Sequence, residues 1–513
     1  MSKTIIRTKR SQKEALGPYG SLGKVLGELD DRLGMAKAGR TFMDKIFPDH
    51  WSFMLGEIAL YSFVVLLATG VFLGLYYVPS QALVTYHGSY APLEGMRVTQ
   101  AFASSIDLSF AVRGGMLMRQ MHHWACDIFV GAIVVHMARV FFTGAFRKPR
   151  ELNWSIGLTM LILAITNGFL GYSLPDDLVS GTGLRIAYSI MLSIPGVGTY
   201  LAYFVFGGNF PGTSVIPRFF ILHELIVPAL IVGLVSAHLF LLVRQKHTQF
   251  GGRGRTETNV VGSPMFPVFI AKTNGFLLLV TGGTALLGAL AQINPIWQFG
   301  PYDASKISYA VQPDWYMGFL DGILRIMPAW SFHNFGHTIP WEVTFPAVIF
   351  PGIVFNLCYA WPTIERLYTK DNNMHNLLDR PRDRPKRTAA GAAIFSVLAL
   401  LFIASSTDVI ANFLHVSLES VLWSMRALVF IVPAVTYPVT LKICRELQAV
   451  HDGGKRKTPN VVTRSATGEY LATLAPSVVD DVHHELEAEL VPTFITADAG
   501  TSLSSTGVRS VER

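Results

Sequence analysis

The sequence predicts an all-α integral membrane protein built from eight transmembrane helices. Half of the 513 residues are hydrophobic and 15% are charged, whereas about a quarter of the residues are charged in an ordinary soluble domain. Mean hydropathy is +0.39. Eight segments stay apolar over the roughly 20 residues that a helix needs to cross a bilayer. This composition excludes disordered, collagen-like and disulfide-linked proteins.

The predicted spans alternate with polar loops along the whole chain. In order, they are Phe53–Tyr77, Met116–Phe142, Ile156–Leu174, Phe219–Val243, Val268–Ala291, Val343–Trp361, Ala389–Ser406 and Leu422–Ile443. They divide the chain into an N-terminal arm, a first four-span bundle, a second four-span region and a tail, at residues 1–50, 51–250, 251–445 and 446–513.

Basic residues are concentrated in the arm, in alternate loops and in the tail. These segments read KTIIRTKRSQK, FRKPRE, RQKHTQFGGRGR, DRPRDRPKR and GGKRK. The opposite loops are long and hold few cations. Because cytoplasmic loops carry the excess of Lys and Arg, we expect a multi-pass protein of the plasma membrane with both termini in the cytoplasm. The tail, with its acidic run DDVHHELEAEL, is expected to be a solvated extension.

Two outer loops are apolar but too interrupted to span a membrane. Residues 183–206 are broken by Pro195 and several glycines, which favours a helical hairpin lying at the interface. Residues 292–340 contain QPDWYMGFLDGILRIMP, which predicts a second short helix at the membrane surface.

Histidines inside the predicted spans are the first functional candidates, because ionisable groups in a membrane are costly. His122 and His136 are 14 residues apart on the second span, a net rotation of about −40°, so they share one face. His123 falls on nearly the opposite face from His136. On the fourth span, His223 and His238 are 15 residues apart, about +60°, and again share a face.

Two antiparallel helices of this kind present two stacked pairs, His122 with His223 and His136 with His238. A single span histidine is equally well explained as a core residue bonded to backbone, but a doubled pair favours two axial ligands for each of two haem irons. Zinc would need four protein ligands or an open position, and no Cys or carboxylate accompanies the pairs.

Small and basic residues support the same interpretation. Four glycines are also spaced by 14 residues, namely Gly56 and Gly70 on the first span and Gly157 and Gly171 on the third. They leave room for a flat macrocycle against the helix backbone, although small-residue helix packing is an alternative. Arg119 and Arg139 lie three residues from a histidine ligand, where they could pair with haem propionates or extend to the interface.

Taken together, these motifs resemble cytochrome b, the quinol-oxidising subunit of the cytochrome bc respiratory complexes. The resemblance covers roughly residues 45–445 and rests on MH(x13)H, RFFxxH(x14)H, the four glycines, GYSLP and PDWY at 313–316. The segments HWSFMLGEIALYSF and FFTGAFRKPRE are most similar to the actinobacterial form. That form uses menaquinol, so menaquinol is the substrate that the resemblance implies.

The resemblance implies that quinol docks between the PDWY loop and the interfacial hairpin near Gly183. One electron would pass to a Rieske cluster, and the other through the outer and inner b haems to a quinone near the cytoplasm. Asp314 would accept a proton and Tyr316 would bond the quinol, within the loop that Pro313 and Trp315 complete. The family usually has Glu at the Asp314 position, and a helix N-cap is the alternative role for Asp314.

The inner quinone site is less specified by the residues. Lys272 keeps the spacing of the family, but Thr273 stands where many relatives have a carboxylate. Glu57 and His247 are therefore the candidates for proton delivery. Their alternatives are an interfacial carboxylate and a histidine of a basic loop.

Partners are implied as well. The chain has three scattered cysteines and neither a CxxCH motif nor Rieske Cys/His boxes, so the acceptors must belong to other subunits. We expect a Rieske iron–sulfur subunit, a dihaem cytochrome c subunit, a cytochrome c oxidase in a supercomplex, membrane lipid and a homodimeric complex, and no nucleic acid. Two alternatives remain, a dihaem b anchor of a membrane dehydrogenase or reductase and a haem-free proton-coupled transporter.

Overall fold

The computed structural model describes residues 25, 28–32, 34–306, 312–334, 336–456, 460–464 and 470–474. The basic start of the predicted arm and the acidic run of the predicted tail lie outside these residues. The chain divides into two units between Leu441 and Lys442.

Eight helices of the described chain are long and apolar enough to cross a membrane, which confirms the predicted fold class. We number them spans 1 to 8, and they run over Trp51–Gly74, Gly115–Thr143, Glu151–Tyr172, Val215–Gln245, Met265–Leu290, Trp341–Thr369, Pro385–Ala404 and Leu418–Val450. The helix of span 8 continues to Arg456. Most side chains of these helices are apolar on every face, as expected of helices surrounded by lipid or by other spans.

Spans 1 to 4 pack around one shared apolar cluster. Their shared apolar cluster includes Phe63, Val130, Leu158 and Ile231, one from each span. Span 5 packs against spans 1 and 2, and span 6 packs against span 3. The histidine-bearing spans 2 and 4 therefore face each other inside a four-helix group.

Shorter helices lie in the connections between the spans. They are Met35–Met43, Gln100–Phe110, Leu178–Leu192, Gly198–Phe206, Ile296–Phe299, Gly318–Ile326 and Thr407–Leu414. The segment predicted as an interfacial hairpin forms the third and fourth of these. The third begins where it does because the Asp177 carboxylate accepts hydrogen bonds from the backbone N–H groups of Val179 (3.0 Å) and Ser180 (3.4 Å).

The strands are short and occur in pairs. The antiparallel pairs are Ile46–Phe47 with Ser263–Pro264, Leu83–Thr85 with Arg97–Thr99, Ser331–Asn334 with His337–Pro340, and Asn460–Arg464 with Tyr470–Leu474. Gln249–Phe250 pairs in parallel with Leu377–Leu378. The first pair joins the chain ahead of span 1 to the start of span 5, which places residues 45–50 beside the cavity described below.

A charge cluster ties span 7 to span 6 and to the loop between them. Arg387 is 3% exposed at its side chain and donates to Glu365 (2.7 Å) and Asp379 (2.7 Å). Both carboxylates are largely buried. Removal of the guanidinium would leave Glu365 without its counter-charge, whereas Asp379 is also paired with Arg147 and Arg384 at 3.2 Å each.

Candidate functional site

Two of the span histidines face each other at one end of the four-helix group. The ring centroids of His122 and His223 are 6.0 Å apart. His223 Nδ1 donates to the backbone oxygen of Asn167 (2.9 Å), and His122 Nδ1 lies 2.9 Å from Thr69 Oγ1. Since the Thr69 hydroxyl itself donates to Val65, its oxygen is free to accept from His122. Each imidazole therefore keeps Nε2 available, the arrangement typical of metal-ligating histidines.

The neighbouring His123 points elsewhere. Its Nε2 lies 2.8 Å from Asp314 Oδ1, on the loop before the short helix Gly318–Ile326. Two adjacent histidines on one helix thus have different surroundings, His122 beside His223 and His123 beside a carboxylate. This follows from the 100° turn between consecutive helical residues.

Span 4 departs from regular α-helix at its first histidine. Residues Leu222–Ile226 form one π-helical turn between the α-helices Val215–Ile221 and Val227–Gln245. A π turn holds one residue more than an α turn. The 15-residue interval between His223 and His238 therefore has the rotation of a 14-residue interval, which matches the spacing on span 2.

The other two histidines line a larger cavity at the opposite end of the group. This inner cavity has a volume of about 960 Å³ and is bordered by His136 and His238. The Nδ1 atoms of both are buried with no hydrogen-bond partner among the described residues. His122 and His223 border a second cavity of about 230 Å³, termed the outer cavity after the charge pattern of the loops.

Each of the four predicted glycines lies against one histidine. A Cβ built on each glycine would meet an imidazole in these pairs: Gly56 with His136 at 3.1 Å, Gly70 with His122 at 3.3 Å, Gly157 with His238 at 3.8 Å, and Gly171 with His223 at overlapping distance. A larger side chain at these positions would occupy the space beside the ring. The glycines thus let each histidine ring of the two pairs lie close to a helix backbone.

The two predicted arginines are buried beside the cavities but differ in their partners. Arg119 borders the outer cavity and donates to Ser109 Oγ (3.2 Å) and to the Asn294 backbone oxygen (3.0 Å). Arg139 borders the inner cavity, and its Nε has no hydrogen-bond partner among the described residues. A buried guanidinium of this kind is satisfied by an anion, so the inner cavity is suited to a negatively charged group.

A carboxylate cluster borders the outer cavity. The Tyr316 hydroxyl donates to Asp314 Oδ2 (2.8 Å), while His123 occupies the other oxygen. Tyr316 is 4% exposed, and burial raises the pKa of its phenol well above the usual range, so the group stays a donor. Ligand atoms of Asp127, His123 and Asp314 lie within 4.8 Å of one another.

The remaining predicted residues of the outer site lie around this cluster. Trp315 packs toward Gly131, at 3.4 Å from a Cβ built there, and Pro313 precedes Asp314 in the loop. Gly183 lies within the helix Leu178–Leu192. Pro313, Trp315 and Gly183 are not among the described residues that border the outer cavity.

All three predicted residues of the inner site border the inner cavity. Glu57, His247 and Lys272 line it together with Tyr61 and Thr273. Thr273 Oγ1 donates to Glu57 Oε2 (3.2 Å). A carboxylate therefore does lie beside position 273, but span 1 supplies it through Glu57.

His247 and Lys272 have contrasting surroundings. Lys272 Nζ pairs with Asp49 Oδ1 (3.0 Å). His247 Nε2 has no hydrogen-bond partner within the described chain. Burial, with the positive charges of Lys45 and Arg150 nearby, lowers the pKa of His247 to about 4, so the ring is neutral at neutral pH.

The sequence reasoning missed His123 and Asp127 as members of the outer cluster. Helical phase excludes His123 as a partner of His136, because the two side chains lie on nearly opposite faces of span 2. His123 and Asp127 are four residues apart and so share one face of span 2. The four-residue spacing is therefore the signal that the sequence contains. The approach of Asp314 to His123 and Asp127 depends on the tertiary fold instead.

Comparisons with known proteins agree with these features. The family model described as cytochrome b(N-terminal)/b6/petB matches residues 127–301. The chain is 45% identical to the cytochrome bc1 complex cytochrome b subunit of Streptomyces coelicolor, over 96% of this chain and 91% of that protein. The corresponding subunit of Mycobacterium tuberculosis is 50% identical, over 83% and 78% of the two chains.

A solved structure is similar at the level of the fold. A chain of a hyperthermophilic respiratory Complex III aligns with a TM-score of 0.59 and 19% identity, over 80% of this chain and all of that one. Together with the identity to the actinobacterial subunits over most of both chains, the comparisons show the family. The chain belongs to the cytochrome b subunits of the cytochrome bc1 complexes, which are membrane-bound quinol–cytochrome c oxidoreductases of respiratory electron transport.

Proposed function

We propose that the chain oxidises menaquinol at its outer cavity and passes electrons through two b haems to a quinone in its inner cavity. The observation that carries the proposal is the composition of the outer cavity. It is bordered both by the facing pair His122 and His223 and by the hydrogen-bonded pair Asp314 and Tyr316. Electron acceptor and proton acceptor would thus adjoin one pocket.

The residues of both cavities fit haem b. His122 and His223 face each other, His136 and His238 border one cavity, and a glycine lies against each of the four rings, which suits haem held by two histidines at each site. His122 and His223 would hold the outer haem, and His136 and His238 the inner one. Arg119 and Arg139 would pair with propionates, for which the unpartnered Arg139 Nε is the support. Bound haem would supply one-electron redox chemistry.

At the outer site, Asp314 would take the proton of a quinol hydroxyl. Its carboxylate is held from both sides, by His123 on one oxygen and by Tyr316 on the other. The shorter side chain of Asp, compared with the Glu usual in the family, is thereby fixed at the border of the cavity. Pro313, Trp315 and Gly183 would shape the approach of the quinol rather than contact its reacting oxygen.

At the inner site, Glu57, His247 and Lys272 would serve quinone reduction. Their support is that all three border the cavity of His136 and His238. The volume of that cavity, about 960 Å³, is at the upper end of the range for small-molecule sites and suits a haem together with a quinone ring.

The partners follow from what the sequence lacks. With three scattered cysteines and no CxxCH, the chain would deliver electrons to a Rieske iron–sulfur subunit and a cytochrome c subunit. The resemblance to the actinobacterial form implies that this cytochrome c carries two haems. A homodimeric complex in the plasma membrane, with both termini in the cytoplasm and an associated cytochrome c oxidase, completes the proposal. The charge asymmetry of the loops supports the orientation, and the family supports the assembly.

The test combines haem content with one substitution. Two b haems per chain are expected in the purified complex, measured as the pyridine haemochrome. Asp314→Asn should slow quinol oxidation by about 100-fold, because a general base is lost, with both haems kept. Asp303→Asn, a change of an exposed carboxylate outside the cavity, is the control and should leave the rate unchanged. Absence of haem, or an unchanged rate in Asp314→Asn, would contradict the proposal.

A further inference from the structure

Three oxygen-bearing side chains meet at the border of the inner cavity. Glu57 and Tyr61 are four residues apart on span 1 and share a face, and Thr273 approaches them from span 5. The Tyr61 hydroxyl lies 3.3 Å from Glu57 Oε2 and also contacts Thr273 Oγ1. Thr273 Oγ1 lies 3.2 Å from the same carboxylate oxygen. We term this group the inner triad.

Among the described residues, no cation pairs with the inner triad. Lys272, the cation nearest in sequence, is turned to Asp49 (3.0 Å) and Ser263 (3.3 Å). Within the described chain, the hydrogen bonds of Glu57 come from the two hydroxyl groups of the triad. A carboxyl group with only hydroxyl partners in a membrane span is costly and marks a functional site.

All three residues border the cavity that also contains His136 and His238. Tyr61 and Thr273 are the two members that can both accept and donate a hydrogen bond through one oxygen. A hydroxyl group that contacts a carboxyl group and belongs to a residue at the border of the cavity can therefore receive one proton and release another.

We infer that Glu57 donates protons to the quinone through the Tyr61 hydroxyl, with Thr273 positioning both groups. This inference rests on the proposed function and deepens its inner site. The electrons come from quinol oxidised at the outer cavity. As the quinone oxygen gains electrons, the O–H bond of Tyr61 breaks and one forms on the quinone oxygen. The Glu57 proton replaces the one that Tyr61 has lost, and Glu57 is reprotonated by water from the cytoplasmic side.

The experiment uses the Asp314→Asn background, in which oxidation at the outer cavity is about 100-fold slower, so the rapid phase of haem reduction reports on the inner site. A short-chain menaquinol is added to the purified complex, and the rate of haem b reduction is followed by stopped flow. By microscopic reversibility, the same groups accept the quinol protons. Glu57→Gln should slow this phase by about 100-fold. Tyr61→Phe should slow it to a similar extent, about 100-fold, because the hydroxyl that passes the proton is lost.

A matched control exists in the same membrane region. The Tyr359 hydroxyl is hydrogen-bonded to Thr159 (2.8 Å) between spans 6 and 3, and neither residue borders the inner cavity. Tyr359→Phe removes the same chemical group from a similar pair. It should leave the rate of the inner phase unchanged.

A second measurement does not depend on turnover. The infrared carbonyl band of a bound ¹³C-labelled menaquinone analogue is recorded in the oxidised complex. A hydrogen bond lowers the carbonyl frequency, so Tyr61→Phe should move the band to higher wavenumber and Tyr359→Phe should not. If Glu57→Gln fails to assemble, Tyr61→Phe and Thr273→Val decide the matter with both readouts.

Wild-type rates and an unmoved band in Glu57→Gln and Tyr61→Phe would overturn the inference. Failure of the proposed function has a different signature. In that case the complex lacks haem, or quinol oxidation by the chain with an intact inner site is insensitive to Asp314→Asn. Slow inner reduction in the triad variants, with a normal rate in Tyr359→Phe, supports the assignment.

Discussion

Adjacent residues on span 2 are expected to differ in their effect on haem content. His122→Ala removes one member of the outer pair and should leave one haem b per chain. His123→Ala should keep two, because His123 contacts Asp314 rather than His223. The pyridine haemochrome of each purified variant gives the count. Loss of a haem in His123→Ala alone would show that the two histidines have exchanged roles.

The hydroxyl group of Tyr316 supplies a second residue-scale prediction. It donates to Asp314 (2.8 Å) and holds the carboxylate that we propose as the proton acceptor. Tyr316→Phe should therefore lower the rate of quinol oxidation by about tenfold, the effect of one lost hydrogen bond, with both haems present. Steady-state reduction of a cytochrome c acceptor is the measurement.

Tyr302→Phe is the control for that change. Tyr302 also lies in the loop between spans 5 and 6, and its hydroxyl has no hydrogen-bond partner among the described residues. Its removal should leave the rate within twofold of the wild type, on the order of the scatter for near-neutral substitutions. An equal loss in both variants would indicate a general effect on the loop.

Residue-scale features differed in how far the sequence could predict them. The placement of His122 beside His223 follows from helical phase alone, which needs only the residue numbers. The contact of His123 with Asp314 does not, because it joins residues 191 positions apart through a loop whose course depends on packing. The contact of Glu57 with Thr273 could not be predicted for the same reason, because it joins spans 1 and 5 across 216 positions of the chain.

At the scale of single elements, the glycines of span 1 predict that a larger side chain beside a histidine would lower the haem content. Gly70 lies against His122, and a Cβ built there would be 3.3 Å from the ring, so Gly70→Leu should push His122 out of place and lower the haem content to one per chain. Gly282→Leu on span 5 is the control, since nothing lies within 4 Å of a Cβ built there. It should keep two haems, and a loss there would point to impaired insertion instead.

The buried charge cluster of span 7 predicts a loss of stability. Arg387→Met would leave the buried Glu365 without its counter-charge, while Asp379 would keep Arg147 and Arg384, at a cost of about 3 kcal/mol. The midpoint of thermal unfolding in detergent should fall by several degrees. Lys306→Met removes an exposed cation that pairs with Asp303, and it should leave the midpoint unchanged. Equal midpoints in the two variants would count against a structural role for the cluster.

The sequence predicted the spanning helices correctly as helices, but it predicted their first and last residues less accurately. Span 4 was expected over Phe219–Val243 and extends over Val215–Gln245, because its first turn lies outside the most apolar window. The π turn at Leu222–Ile226 had no signal in the apolar pattern. Its presence is what lets a 15-residue histidine interval serve the same geometry as a 14-residue one.

For the whole molecule, the pattern of charges predicts the orientation in the membrane. The segments rich in Lys and Arg follow spans 2, 4 and 6, and the loops with few cations follow spans 1, 3 and 5. Since basic loops stay in the cytoplasm, the inner cavity should open toward that side and the Asp314 cluster toward the opposite side. A quinol oxidised at the outer cluster would then release its protons outside the cell, and the inner triad would take protons from within.

Cysteine labelling tests this orientation directly. Ser305→Cys in an outer loop should react with a membrane-impermeant maleimide in intact cells, whereas Gly252→Cys in a basic loop should react only after the membrane is opened. The three native cysteines lie in membrane helices or are buried, so the wild-type protein gives the baseline. The reverse labelling pattern would show that the orientation in the membrane, and therefore the direction of proton movement, is opposite to the predicted one. Labelling of both positions in intact cells would show that the charge pattern does not set one orientation.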